Sequence, residues 1–288
     1  MWLEKEVYWR ADKPMMRGMP RFLLALAAFA AGFVIAPVCR GQVTLLAYEG
    51  FDYAAGTLNG QNGGSGWSGA WTWTYGSGGS LGVAATGLTY TGLTTTGRSA
   101  TWSSGGNGIS EARRSLPLVN SGVVYLQFLT QFGASSGGGT PNLRLFANGV
   151  MTGGIGANGG TYGGVISILD TALQPASGGA SSSSATLSAL NLLVVRIDYT
   201  ANATMLWTNP NLATFDYLNP GNHDAIYEGL APAFDTLDFY TRNPGRIDEI
   251  AVYSAIPEPA TTASLVAGMA LVAASVAKRR RRAIVVNC

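Results

Sequence analysis

Between residues 42 and 255 the chain alternates short apolar or β-branched runs with glycine-rich turns. The most regular run is Leu192–Tyr199, and Asn202–Trp207 follows it closely enough to be its hairpin partner. Val123–Phe132 is apolar over most of its length, which predicts a strand at the centre of a sheet. Because no stretch of this region keeps a helical period, the pattern predicts an all-β body.

Further runs with strand character have the same turn signals on either side. They are Val43–Tyr48, Val83–Thr91, Ser99–Trp102, Leu143–Phe146, Gly164–Leu169, Leu237–Tyr240 and Ile247–Tyr253. Ser177–Ser184 has low sequence complexity and is predicted to be a flexible loop. Strands at such regular spacing are typical of a β-sandwich or jelly roll.

The first 41 residues have the pattern of a secretory signal peptide. Two arginines precede the apolar run Phe22–Ala36, and Cys39 and Gly41 supply small residues at the −3 and −1 positions, which predicts cleavage before Gln42. Residues 1–14 carry three acidic residues and do not suit such a signal. We therefore expect translation to start at one of three later methionines, Met15, Met16 or Met19. A lipid-modified Cys39 is the alternative.

The end of the chain has the pattern of a membrane-spanning segment. Ala260–Ala277 contains no charged residue, and as a helix its eighteen residues would be about 27 Å long, close to the thickness of a bilayer core. Lys278–Arg282 follows as a basic cluster, which favours a cytoplasmic end and places the body on the other side. The alternative is a buried core helix followed by a solvated basic tail.

Composition excludes several classes of function once both ends are set aside. The body has seven arginines, no lysine and twelve carboxylates, a formal charge of −5, so the positive charge of the whole chain comes from its ends. A basic surface for nucleic acid is therefore excluded. The cysteines, Cys39 and Cys288, lie outside the body, which excludes disulfides and cysteine catalysis within it.

The C-terminal pattern resembles the PEP-CTERM sorting signal of Gram-negative bacteria. The residues that carry the resemblance are the motif Pro257, Glu258 and Pro259, the apolar span, and the basic stop Lys278, Arg279, Arg280, Arg281 and Arg282. It implies that an exosortase, a membrane-embedded cysteine transpeptidase, processes the exported body after the Sec translocon and signal peptidase have acted. The protein would then be anchored in the inner membrane before processing, and reach the cell envelope, surface or medium afterwards.

The body resembles concanavalin A-like (laminin G-like) jelly rolls. The resemblance lies in Leu193–Tyr199, the Leu206–Pro210 hairpin, the closing Arg246–Tyr253 and the opening Tyr48–Tyr53. It implies a jelly-roll sandwich over residues 42–255, between a signal helix and the sorting signal over 256–288, which holds a transmembrane helix. That fold serves glycan-binding modules, glycosidases and adhesion modules alike.

Carboxylate spacing gives no sign of a catalytic pair. Asp248 and Glu249 are adjacent and should point to opposite faces of a strand, while Asp235 and Asp238 are three residues apart. His223, the only histidine, lies in a turn-rich segment, where a loop role is favoured over a catalytic triad. We therefore predict no catalytic residues.

Three tryptophans in a glycine-rich stretch, Trp67, Trp71 and Trp73, are the candidate glycan-binding residues. The alternative is packing in the core or at a sheet edge, since Trp71 and Trp73 are two residues apart and would share a strand face.

Three oxygen-bearing side chains, Asp216, Asn222 and Asp224, could ligate Ca²⁺, but turn-stabilising contacts explain them equally well. No cofactor and no metal site are predicted.

These patterns predict an exported, non-catalytic protein of the bacterial surface or extracellular matrix, with exopolysaccharide as a further partner. The alternative is a carbohydrate-binding module or a glycoside hydrolase of the same fold.

Overall fold

A computed structural model describes residues 42–76, 80–103, 109–132, 142–157, 164–177, 180–186, 188–242 and 244–256. The predicted signal peptide, sorting motif, apolar span and basic cluster lie outside these residues. In the part of the chain that is described, no helix is long and apolar enough to cross a membrane.

The described residues form sixteen strands and no helix, which confirms the all-β prediction. The strands are β1 Gln42–Glu49, β2 Gly56–Thr57, β3 Thr72–Gly76, β4 Ser80–Val83, β5 Ala100–Ser103, β6 Ser110–Val119, β7 Val123–Phe132, β8 Asn142–Ala147, β9 Val150–Gly156, β10 Val165–Leu169, β11 Ser182–Thr186, β12 Asn191–Asp198, β13 Ala203–Thr208, β14 Ala225–Glu228, β15 Phe234–Thr241 and β16 Gly245–Ile256.

The strands form two antiparallel sheets. The nine-stranded sheet has the order β14-β13-β12-β7-β16-β5-β4-β2, with β1 also pairing with β16. The seven-stranded sheet has the order β11-β10-β9-β8-β15-β6-β3. The apolar run Val123–Phe132 is indeed a central strand, between β12 and β16, and the predicted hairpin is β12–β13.

The main core lies between the two sheets, where alternate side chains of both meet. Leu126, Phe128 and Val195 come from the nine-stranded sheet, and Leu145 and Phe239 from the other. This arrangement is a jelly-roll sandwich, the fold class that the sequence predicted.

A buried ion pair gives the segment Glu49–Phe51, at the end of β1, a structural role. Glu49 pairs with Arg114 of β6, and both side chains are fully buried. Glu49 also accepts hydrogen bonds from Tyr53 Oη at 2.6 Å, Trp71 Nε1 at 3.0 Å and the Phe51 amide at 2.7 Å. Because every partner lies inside the sandwich, the pair fastens the loop after β1 to the seven-stranded sheet.

A second apolar cluster covers the outer face of the nine-stranded sheet. Two irregular segments, residues 84–99 and 209–224, lie over this face and are here called the covering segments. The sheet contributes Val123, Tyr125, Leu129, Leu192, Val194, Trp207 and Ala255, and the covering segments contribute Leu88, Tyr90, Leu93, Leu212, Phe215 and Tyr217.

One predicted strand and one predicted loop were wrong, and one strand was not predicted. The strand predicted over Val83–Thr91 ends at Val83, because the Leu88 amide bonds to the Asp248 carboxylate at 2.7 Å instead of to a neighbouring strand. Part of the predicted loop Ser177–Ser184 belongs to β11. The ten-residue strand β6 was not predicted, because its sequence contains three charged residues and a proline.

Candidate functional site

Four charged side chains meet on the outer face of the seven-stranded sheet, which is the face turned away from the main core. Antiparallel register places Arg144 of β8 and Arg113 of β6 on either side of Asp238 of β15. Glu111 lies two residues from Arg113 on the same face of β6, diagonal to Asp238. Glu111, Arg113, Arg144 and Asp238 are called the charged quartet.

Each arginine of the quartet contacts both carboxyl groups. Arg144 Nη2 lies 2.6 Å from Asp238 Oδ2 and 2.9 Å from Glu111 Oε1. Arg113 Nη2 lies 2.6 Å from Glu111 Oε1, and its Nε lies 3.3 Å from Asp238 Oδ2. The side chains are therefore held in one arrangement, as a binding site requires.

Aromatic rings flank the arginines. The Arg113 guanidinium carbon lies 4.5 Å from the centre of the Phe146 ring, and that of Arg144 lies 4.3 Å from the Tyr240 ring. Both distances fit cation–π contacts. The quartet and its rings thus combine charged hydrogen-bonding groups with flat apolar surfaces.

The two carboxyl groups differ in acidity. Burial raises the pKa of Asp238 to about 7, and the charge of Glu111 adds to this while the two arginines oppose it. Burial also raises the pKa of Glu111, but Arg144, a hydrogen bond with Asp238 and Arg113 outweigh burial and leave it below the ordinary value. A proton taken up by this pair therefore resides on Asp238.

Two buried polar atoms of the quartet, Arg144 Nε and Asp238 Oδ1, have no hydrogen-bond partner, and Arg113 Nε has only its 3.3 Å ion-pair contact with Asp238. Asp238 itself has a relative exposure of 0%. Unsatisfied buried polar atoms are uncommon, and a group of them within one cluster is typical of a functional site or of bound water.

The quartet does not have the geometry of a glycosidase. Its two carboxyl groups both contact one nitrogen, Arg144 Nη2, at 2.9 Å and 2.6 Å, whereas glycosidases place the scissile bond between their two carboxyl groups. Asp238 is also closed to solvent in this arrangement. The site is better suited to binding than to acid–base catalysis.

The tryptophans named from the sequence do not share one exposed surface. Trp71 is 1% exposed and stacks on Phe51, with ring centres 5.7 Å apart. Trp67 is half-buried; its Nε1 donates to the Tyr48 carbonyl at 2.8 Å, and its ring lies 4.9 Å from the Arg114 guanidinium. Trp73, on the edge strand β3, is 39% exposed. Packing is thus the role of Trp71, and a three-tryptophan platform does not form.

Asp248 and Glu249 do not point to opposite faces of their strand, as the alternation rule predicted. Asp248 accepts from the Leu88 amide, and Glu249 accepts from the Thr96 amide, so both hold the first covering segment. A bulge explains the difference, since the register shifts after Asp248 and Glu249 has a positive φ of 51°.

The other sequence candidates have local structural roles. The ring of His223 meets Trp207 edge-on, with centres 6.2 Å apart. Asp216 Oδ1 accepts from the Leu218 amide at 2.9 Å and stabilises a turn, while Asp224 Oδ2 accepts from the Thr208 amide at 2.6 Å and joins the end of β13 to the segment before β14. Among the described residues, no three acidic, histidine or cysteine side chains form a group that could hold a metal ion.

Sequence reasoning missed the quartet because its members come from three strands. Spacing along the chain could not pair Glu111 with Asp238, which are more than a hundred residues apart. The available signal was the alternation Glu111-Ala112-Arg113, which is typical of a strand with one polar face.

No protein-family model and no curated protein matches the chain. The solved structures that are similar to it include "Cellulose induced protein, Cip1", at 15% identity and a TM-score of 0.41, over 62% of this chain and 90% of that one. A GH131 β-glucanase catalytic domain from Podospora anserina has 14% identity and a TM-score of 0.40, over 73% and 95%.

A legume lectin-like domain from Entamoeba histolytica has 14% identity and a TM-score of 0.38, over 62% of this chain and 90% of that one. A match to a sialidase spans 17% of that protein. The named proteins include enzymes and a lectin-like domain.

Proposed function

We propose that the protein is an exported, non-catalytic glycan-binding protein whose binding surface is the outer face of the seven-stranded sheet. The observation that carries the proposal is the charged quartet, with its unsatisfied polar atoms, beside Phe146 and Tyr240. Exopolysaccharide is the ligand class that fits a protein of the bacterial surface or matrix.

The chemistry of sugars supports this surface. Hydroxyl groups donate to carboxylates and accept from guanidinium groups, and a site that holds both kinds of group in fixed positions can bond adjacent hydroxyls. Sugar C–H faces pack on aromatic rings, as Phe146 and Tyr240 could provide. Because the quartet is fixed by its own ion pairs, little side-chain entropy is lost on binding.

The test is a glycan array with the purified chain, followed by calorimetry on any glycan that binds. We expect Arg144→Gln to weaken binding by tenfold or more, since it removes the donor shared by both carboxyl groups. Arg196→Gln is the matched control, because Arg196 forms a 2.7 Å ion pair with Asp198 on the other sheet. Equal loss in both variants, or hydrolysis of the glycan, would contradict the proposal.

Export and sorting are the second part of the proposal and rest on the two terminal patterns. We expect a mature N-terminus at Gln42, and N-terminal sequencing of exported protein checks it. Replacing Pro257, Glu258 and Pro259 by alanine should block processing and leave membrane insertion unchanged, because the apolar span is intact. Unaltered processing of that variant would show that the motif is incidental.

A further inference from the structure

We infer that the charged quartet selects acidic glycans, binding a sugar carboxylate through Arg113 and Arg144 as Asp238 takes up a proton. This inference rests on the proposed function and names the ligand class of the same site. It concerns selectivity and pH dependence, which the proposed function leaves open.

The charge balance of the quartet favours an anion only after protonation. With all four groups ionised, two guanidinium groups face two carboxylates, and the cluster has no net charge to attract an anionic ligand. One proton leaves a surplus positive charge on the outer face. Arginine is suited to the incoming group, since its planar fork bonds a carboxylate through two parallel hydrogen bonds.

The positions of the side chains determine which carboxyl group takes the proton. Asp238 is fully buried beneath the cluster, whereas the Glu111 side chain is partly exposed and in contact with both arginines. Both carboxyl groups contact the same nitrogen, Arg144 Nη2, at 2.9 Å and 2.6 Å, so their negative charges lie close together and ionising both is costly. The raised pKa of Asp238, about 7, agrees with this assignment.

The ligand would approach from the side of Arg113, the most exposed member of the quartet, with 32% of its side chain accessible. Once Asp238 is neutral, its attraction for Arg144 Nη2 weakens, and the positive charge of that guanidinium group becomes available to the ligand carboxylate while Glu111 keeps both arginines in place. The charged groups that face Asp238 are Arg113 and Glu111 from β6 and Arg144 from β8. Because the arginines stay charged, the pH dependence comes from the carboxyl pair.

The experiment measures binding of the full chain to two probes by calorimetry from pH 5.5 to pH 8.5. The probes are a hexuronic acid tetrasaccharide and the same tetrasaccharide with its carboxyl groups reduced to alcohols. We expect the acidic probe to bind more tightly at low pH and to lose affinity about tenfold between pH 6 and pH 8, because the protonated fraction of a group with a pKa of about 7 falls by about that factor over this range. The reduced probe should bind weakly and with little pH dependence.

Asp238→Asn tests the role of the proton directly, because asparagine imitates the neutral carboxyl group. This variant should bind the acidic probe at pH 8 as tightly as the unaltered protein does at pH 6, with a flat pH profile. Asp52→Asn, which makes the same charge change at an exposed residue, should keep the original profile. A thermal melt of each variant confirms folding, and the profile of the unaltered protein decides the inference if Asp238→Asn does not fold.

The outcomes separate the inference from the proposed function. Equal affinity for both probes, or a pH-independent preference for the acidic one, overturns the inference while glycan binding stands. Binding of neither these probes nor any glycan on the array overturns both.

Discussion

Side chains alternate between the inner and outer faces of both sheets, but the outward side chains of the two sheets differ in polarity. On the nine-stranded sheet the outward residues beneath the covering segments are mostly apolar or aromatic, such as Tyr125, Leu129 and Val194, and the covering segments bury them. On the seven-stranded sheet the corresponding positions hold the charged quartet. One face is thus a second core, and the other presents polar groups.

This contrast distinguishes a covered face from an open one. Covering an apolar face stabilises the fold in proportion to the area removed from water, so the covering segments have a structural function. Burying the quartet without a partner would instead cost free energy for each unsatisfied polar atom. Selection for stability alone would not be expected to place four charges together, and this supports the proposed binding role.

The largest effect is expected from opening the covered face. Trp207→Ala removes a ring that packs on Phe215 and donates from Nε1 to the Asn222 carbonyl at 2.6 Å. We expect the free energy of unfolding to fall by about 3–5 kcal/mol, as for other buried tryptophans. Phe146→Ala on the open face is the comparison, and should cost about 1 kcal/mol or less, because its ring is already partly exposed. Urea denaturation measures both, and equal losses would contradict the difference between the faces.

The sequence predicts the covered face better than the open one. Continuous apolar runs such as Val123–Phe132 mark strands buried on both faces, and the structure confirms that strand and the β12–β13 hairpin. The all-β sandwich could be predicted for the same reason, since it follows from local period and turn residues.

The open face could not be predicted because it depends on contacts across strands. Strand β6 has three charged residues among its first five, two of them adjacent, a pattern that suits an exposed loop as well as a strand. The environment of Asp248 likewise depends on a bulge, which the alternation rule does not include. Trp67, Trp71 and Trp73 are close in sequence, but their exposure is decided by loops from elsewhere in the chain.

The next largest effect is expected from a change in pH, because the buried Asp248 accepts a hydrogen bond from the first covering segment. Burial raises the pKa of Asp248 to about 7 in the folded protein, whereas an unfolded aspartate titrates near ~3.9. The folded state therefore holds the proton more tightly. Its stabilisation is complete below the unfolded value and is lost as the pH rises through about 7.

We expect the free energy of unfolding to fall by about 1–3 kcal/mol per such carboxyl group between pH 5 and pH 8. Asp238 on the open face contributes in the same direction, so Asp248→Asn is needed to separate the two. Urea denaturation of both proteins at pH 5 and pH 8 measures the effect, and the fall should be smaller in Asp248→Asn because only Asp238 then contributes. An equal fall in both proteins would count against Asp248 as the titrating group.

The smallest effects are expected from replacing Trp67 and Trp73, which lie outside the charged quartet. Trp67→Ala removes the hydrogen bond to the Tyr48 carbonyl and the contact with Arg114, and should cost about 1–2 kcal/mol. Trp73→Ala, on an edge strand with 39% exposure, should change stability by about 0.5 kcal/mol or less. Glycan affinity should be unchanged in both variants, because neither ring belongs to the quartet or its flanking aromatics. Melting curves and calorimetry on the same samples distinguish the two roles. A loss of affinity in Trp73→Ala without a loss of stability would extend the binding surface to the edge strand β3.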